Sequence, residues 1–232
     1  MMFDPVFLLF ALPGLLLAGY ASFITKSRFQ KYSRVAPTSG LSGAQAAAKM
    51  LRQAGLHDVG IERIGGFLSD HYDPRARVLR LSPAVFDGRS LSAVGVACHE
   101  AGHALQHATG YAALGLRSAL VPAASFTSQL SSPLLMFGLF LSMASPMGRP
   151  LLIMGILMLS VSVLFTLVTL PVEWDASARA KRVLVDDGIV APYQERDAAA
   201  VLDAAFLTYL AAAVSALMTL LYWILRASSS RR

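Results

Sequence analysis

Charge and cysteine are both scarce in this chain of 232 residues. Only 15% of the residues are Asp, Glu, Lys or Arg, against about 25% in a soluble domain. Hydrophobic residues make up 55%, which excludes disorder and points away from a soluble globular fold. Cys98 is the only cysteine, so the chain cannot build a disulfide scaffold of the secreted kind. Acidic residues are the scarcer sign, 14 against 20 basic ones, for a formal net charge of +6. A basic balance can mark a nucleic-acid partner, but no RNA- or DNA-binding motif accompanies it, and no nucleic acid is expected. Positive loops beside membrane spans account for the balance instead. No internal repeat or low-complexity linker stands out.

The charges that do occur are unevenly spread. Residues 5–25, 118–148, 150–172 and 204–225 contain no Asp, Glu, Lys or Arg. A helix needs about 20 apolar residues to cross roughly 30 Å of hydrocarbon, and each run is long enough. Four transmembrane helices are therefore expected, at 1–25, 118–148, 149–172 and 204–225, with a loose tail at 226–232. The first begins near Phe3 and contains Pro13-Gly14. It reads as an uncleaved span, because Asp4 stands where a basic n-region belongs and no small-residue cleavage site follows. The second is polar in its first half and carries Pro122 and Pro133. An interfacial or protein-covered start, with the crossing confined to Leu120–Met143, is its alternative reading. Three or five spans are the alternatives to four.

Two polar regions remain, 26–117 and 173–203. Four spans place them on one side, with both termini and the link around Met147-Gly148-Arg149 on the other. Lys26, Arg28, Lys31 and Arg34, then Arg117, then Arg179, Lys181 and Arg182 flank span ends and favour the cytoplasm for the polar regions. Arg226, Arg231 and Arg232 argue the opposite way and are fewer. Within the first region, Ser42 and Gln45 form a capping-box pattern ahead of Ala46, Ala47, Met50, Leu51 and Ala54, with Gly55 as the stop. Short apolar alternations at 59–64 and 78–81, separated by Gly65-Gly66 and Asp73-Pro74, predict a small sheet. A helix is expected over 91–109, capped by Ser90 or Ser92 and stopped by Gly110.

That last helix contains His99-Glu100-Ala101-Gly102-His103, a match to H-E-x-x-H. Side chains four apart share a helix face, so two imidazoles can reach one Zn²⁺ at about 2.0–2.1 Å. Glu100 can then stand beside the water and handle its proton without ligating the metal. The plain competitor is a helix with a polar stripe. A di-iron carboxylate site is the other, but it needs a second E-x-x-H, and neither Glu173 nor Glu195 has His three residues on. One zinc per chain is expected. A catalytic zinc takes three protein ligands, and the candidates for the third are His107, His71, His57 and the few carboxylates. His107 would stretch one straight helix over about 12 Å of rise between outer ligands, too far for one ion. Glu173, at the end of the third span, reads equally well as an ordinary interfacial acid.

Several segments are similar to the bacterial membrane zinc metallopeptidases of the YugP type, a family of neutral zinc metallopeptidases. They are Gly40–Ala44, Leu68–Arg75, Val78–Pro83, Ala97–His107, Leu116–Pro122 and Leu170–Ser177, so the resemblance runs over nearly the whole chain. It implies a zinc-dependent peptidase in the bacterial plasma membrane, multi-pass, with the metal site on the cytoplasmic side. The glutamate segment also resembles the E-F-x-A-D motif of the larger membrane gluzincins, which maps their metal-binding Glu onto Glu173. Those proteases carry Asp at the position of Ser177, so the resemblance leaves open whether Asp175 or Ser177 holds an imidazole N–H. The implied ligands are His99, His103 and Glu173, with Glu100 as base.

Other residues carry weaker signals. His71 and Tyr72, in the cluster Asp70 to Asp73, could stabilise an oxyanion or simply make a turn. His107 reads as a rim or supporting residue. Val78, Leu79, Arg80 and Leu81 could be the sheet edge that aligns an extended substrate, or a plain core strand. Arg179 and Arg182 could meet a substrate carboxylate or be interface arginines. Cys98 reads as a buried apolar residue. The fold class expected is mainly α, a polytopic helical membrane protein with a small zincin-like α+β metallopeptidase region. The expected activity is hydrolysis of peptide bonds in membrane-associated proteins or peptides, with the lipid bilayer and a membrane-protein partner as associates. A quality-control scaffold with little or no proteolysis is the alternative. A transporter is disfavoured, because it would place ionisable residues inside its spans.

Overall fold

The computed structural model describes residues 4–66 and 69–229. Phe3, where the first span was expected to begin, Leu68 of the matched segments and the last three tail residues lie outside the described residues. The order is α1 (Pro5–Tyr32), α2 (Gly43–Gln53), β1 (Gly60–Arg63), β2 (His71–Asp73), β3 (Val78–Leu81), α3 (Pro83–Phe86), α4 (Leu91–Ala108), α5 (Ala112–Ser142), α6 (Gly148–Asp186) and α7 (Glu195–Ser229), with a 3₁₀ turn at Pro192–Gln194. The protein is mainly α. Four helices among the described residues are long and apolar enough to cross a membrane, α1, α5, α6 and the stretch Pro192–Ser229 that includes α7. α6 and α7 extend well past the charge-free runs, since loss of hydropathy does not stop a helix. α5 is a single helix that starts before the second run and carries Pro122 and Pro133 inside it.

The chain divides into two compact units. One gathers the described residues of 1–20, 116–170 and 209–232. Many of its outward side chains are apolar, with Leu9, Leu15 and Phe140 each about 70% exposed, as a lipid-facing surface would be. Its helices pack through small residues. A Cβ on Gly138 would lie 2.6 Å from the Leu152 amide nitrogen, and one on Gly155 would lie 2.8 Å from Leu135 Cγ, so α5 and α6 meet where side chains are absent. Tyr222 and Trp223 fill the same unit beside Phe7 and Phe10, and the Tyr222 hydroxyl donates to Asp4 Oδ2 at 2.9 Å.

The other unit holds 21–115 and 171–208. Its sheet runs β1-β3-β2, with β1 parallel and β2 antiparallel to β3. Leu79 and Leu81 point to one face and are fully buried. They join Met50 and Leu51 of α2 and Val94, Ala97, Cys98 and Ala101 of α4 in one core. Local signals set the helix ends. Ser42 and Gln45 make the reciprocal capping box at 3.3 and 2.9 Å, Ser90 Oγ accepts from the Ala93 amide at 3.2 Å, and Gly110 ends the α4 turn with φ +64°. One expectation is corrected here. Val78, Leu79, Arg80 and Leu81 cannot be an open sheet edge, because β3 is the central strand and both of its sides are already paired. The edges are β1 and β2.

Candidate metal centre

α4 presents His99 and His103 on one face, as i, i+4 spacing dictates. α6 crosses that face closely because position 102 is glycine. A Cβ there would lie 2.6 Å from the Ala176 carbonyl oxygen. This approach brings Glu173, three residues before Ala176, onto the two imidazoles. His99 Nε2 lies 3.1 Å and His103 Nε2 3.5 Å from Glu173 Oε2. One donor atom from each of the three residues fits within 4.8 Å of the others.

Hydrogen bonds behind the rings fix their orientation. The amide nitrogen of Gln106 donates to Val172 O and to Asp175 Oδ2, both at 2.8 Å. Its oxygen is therefore the acceptor facing His103 Nδ1 at 3.0 Å, and Nδ1 must carry the proton. When the ring is neutral, this leaves its Nε2 lone pair facing Glu173. His99 Nδ1 lies 3.1 Å from Ser177 Oγ, which can accept in the same way. Asp175 is anchored in turn by Arg179 Nε at 2.6 Å. Both acids or hydroxyls weighed from the sequence thus have a place: Ser177 touches His99 directly, and Asp175 reaches His103 through Gln106. Gln106 itself carried no role in the sequence reading. Its position three residues after His103, on the same helix face, was the signal available.

The donors suit a metal ion. Two lone pairs and a carboxylate oxygen converge in a site where Glu173 is 1%, His103 7% and Glu100 8% exposed, and buried anions require a cation. Burial disfavours the charged form of His103, yet the hydrogen bond to Glu173, the charges of Glu100 and Glu173 and the contact with Gln106 outweigh it and raise its pKa. The pocket thus favours positive charge. Tetrahedral bonds of about 2.0–2.1 Å imply ligand atoms about 3.3 Å apart; the two histidine–Glu173 separations of 3.1 and 3.5 Å bracket that value, and all three donors lie within 4.8 Å of one another. Two imidazoles and one carboxylate are a zinc-type donor set.

The remaining candidates lie elsewhere. His107 is not in the three-residue group. Its Nδ1 lies 2.9 Å from the Tyr72 hydroxyl, and with the proton on Nδ1 the phenol accepts there and keeps its own O–H free to donate. Burial, with Asp58 and Asp73 against Arg77, raises the Tyr72 pKa, so the phenol keeps its proton. Tyr72 and His71 sit on edge strand β2, and His71 Nδ1 lies 2.8 Å from Ser69 O. Asp70 receives the Ser82 amide and hydroxyl, and Asp73 pairs with Arg80 at 2.7 Å, so these two acids serve the turn. Burial pushes the Cys98 thiol far up, which leaves it a packing residue.

Comparison with known proteins agrees in kind with this geometry. The family model described as "Putative neutral zinc metallopeptidase" matches residues 7–228. A relative named "Putative membrane protease YugP", from Bacillus subtilis (strain 168), is 43% identical over 220 residues, covering 95% of this chain and 96% of that protein. No solved structure matches the chain. The chain belongs to this zinc metallopeptidase family.

Proposed function

We propose that this family member is a zinc-dependent membrane endopeptidase that cleaves membrane-associated proteins or peptides. The convergence of His99 and His103 on Glu173 Oε2, with all three donors within 4.8 Å of one another, carries the reading. These three residues would hold one zinc per chain. When bound, zinc supplies Lewis-acid chemistry, drawing electrons from a carbonyl and making water more acidic. Ser177 and Gln106 hold the imidazoles so that each ring turns its Nε2 toward the site. Glu100, beside His99 on α4, takes the proton of the attacking water and later delivers it to the departing amine. Among the described residues no hydrogen bond occupies its carboxylate, which leaves it available for both transfers.

With β3 central, the substrate backbone would pair with the side of β2 that no strand covers among the described residues, and its neighbour α4 carries the histidines. Tyr72, held by His107, would then stand along the bound chain as the candidate oxyanion donor. The basic flanks Lys26, Arg28, Lys31 and Arg34, with Arg179, Lys181 and Arg182, support a cytoplasmic site in a bacterial plasma membrane. Glu100→Gln tests the activity. The variant is expected to keep its zinc and lose peptide hydrolysis. Unchanged hydrolysis with unchanged zinc content would reject the enzyme assignment and favour a scaffold.

A further inference from the structure

The charge-free runs end at one level in the unit that holds the metal site. Thr25, the last residue of the first run, donates its hydroxyl to the carbonyl of Ala204, the first residue of the fourth, at 2.8 Å. Trp174, two residues beyond the third run, packs edge-on against Phe206, two residues into the fourth, with ring centroids 5.3 Å apart. Three boundaries read independently from the sequence therefore meet in space. On the polar side of this level Lys181 pairs with Asp203, and its ammonium lies 6.0 Å from the Trp174 ring.

Trp174 is 59% exposed, whereas its neighbour Glu173 is 1% exposed. An outward indole immediately above an apolar span, with a lysine ahead of it, has the composition of a membrane-interface belt. A water-facing surface would leave the large apolar ring uncompensated. We propose that Trp174, Phe206 and Lys181 form a lipid-headgroup anchor that seats the metal centre at the bilayer interface. Consecutive helical residues differ by about 1.5 Å in height, so Glu173 and its partner histidines share the depth of Trp174. That depth is roughly 15 Å from the midplane, half the hydrocarbon thickness. Resting on the peptidase reading above, the substrate class follows: polypeptide lying in the headgroup layer, such as juxtamembrane stretches and surface-bound amphipathic segments.

Trp174 and Trp223 are the two tryptophans of the chain, so fluorescence can read the anchor. The full-length protein is reconstituted in phosphatidylcholine vesicles brominated either near the headgroup or near the methyl end of the acyl chains. Trp223→Phe isolates the Trp174 signal, and the difference between wild type and Trp174→Phe gives the same signal without touching Trp223. Bromine near the headgroup is expected to quench Trp174 about twofold more than bromine near the methyl end. Stronger quenching by the deep label, or quenching by aqueous iodide alone, would overturn the proposal. Quenching needs no turnover, so a protein that cleaves nothing still reports its depth. For the substrate, peptides carrying one cleavable stretch beside a hydrophobic anchor are expected to be cut when that stretch lies at the boundary. Equal cutting when it is moved far into the water by a long linker would overturn the substrate class.

Discussion

Replacing Gly102 by alanine tests whether the close crossing of α4 and α6 assembles the metal centre. The new Cβ would stand 2.6 Å from the Ala176 carbonyl oxygen and 3.2 Å from its carbonyl carbon and Cα. Carbon atoms pack comfortably at about 3.5–4.0 Å, so the helices must separate by several tenths of an ångström to about 1 Å. All three contacts are backbone atoms of a long helix and cannot swing aside. Overpacking of this kind costs about 1–3 kcal/mol. The larger consequence is chemical. Glu173 rides on the displaced segment, and metal–ligand distances tolerate only about ±0.2 Å. Zinc affinity is therefore expected to fall at least about tenfold, as for losses of ligand support, while helical content is retained. Competition against a chromophoric chelator in detergent measures the affinity, and circular dichroism checks the fold. Gly115→Ala is the control, because nothing lies within 4 Å of its added Cβ and alanine is the better helix former by about 1 kcal/mol. If Gly102→Ala bound zinc as tightly as wild type and unfolded no earlier, the close-approach argument would be wrong.

Gln106→Leu preserves bulk but removes the acceptor that fixes the His103 tautomer; zinc affinity is expected to drop about 10–100-fold, with a normal fold by circular dichroism. Zinc affinity should also fall on acidification, with a midpoint above the ordinary histidine value of 6.5, because the raised His103 pKa lets protons compete earlier. The metal-free protein should show the opposite trend: the stabilisation from protonated His103 is fully present below 6.5 and is lost as pH rises through the folded-state pKa. Thermal melts of zinc-loaded and zinc-stripped protein across this range check both signs, and a zinc midpoint below 6.5 would contradict the pocket electrostatics.

Local and one-dimensional features of this fold were legible in the sequence. Charge-free runs marked the four long helices, and Ser42, Gln45, Ser90 and Gly110 marked helix ends, because caps and hydropathy act within a few residues. Strand order was not legible. β3 is shielded on both sides by β1 and β2, and its period is the same in the centre of a sheet as at an edge. The three convergent donors lie partly within that reach: His99 and His103 share a helix face by spacing alone, while Glu173 is 74 positions from His99 and came from resemblance. Gln106 escaped for a related reason. Its partners Val172 and Asp175 are 66 and 69 positions away, and only the packing of α6 on α4 gives its amide a purpose. Gly102 carried no reading of its own in the sequence; only the Ala176 carbonyl against it gives its missing side chain a purpose.

The central claim is that Glu173 completes a zinc site with His99 and His103. Zinc content of purified Glu173→Ala after mild chelation, measured beside wild type by elemental analysis, tests it most directly. The account predicts about one zinc per chain in the wild type, the stoichiometry of a single three-ligand site, and close to none in the variant. Full retention of zinc by Glu173→Ala would contradict it and move the third ligand to His107 or His71.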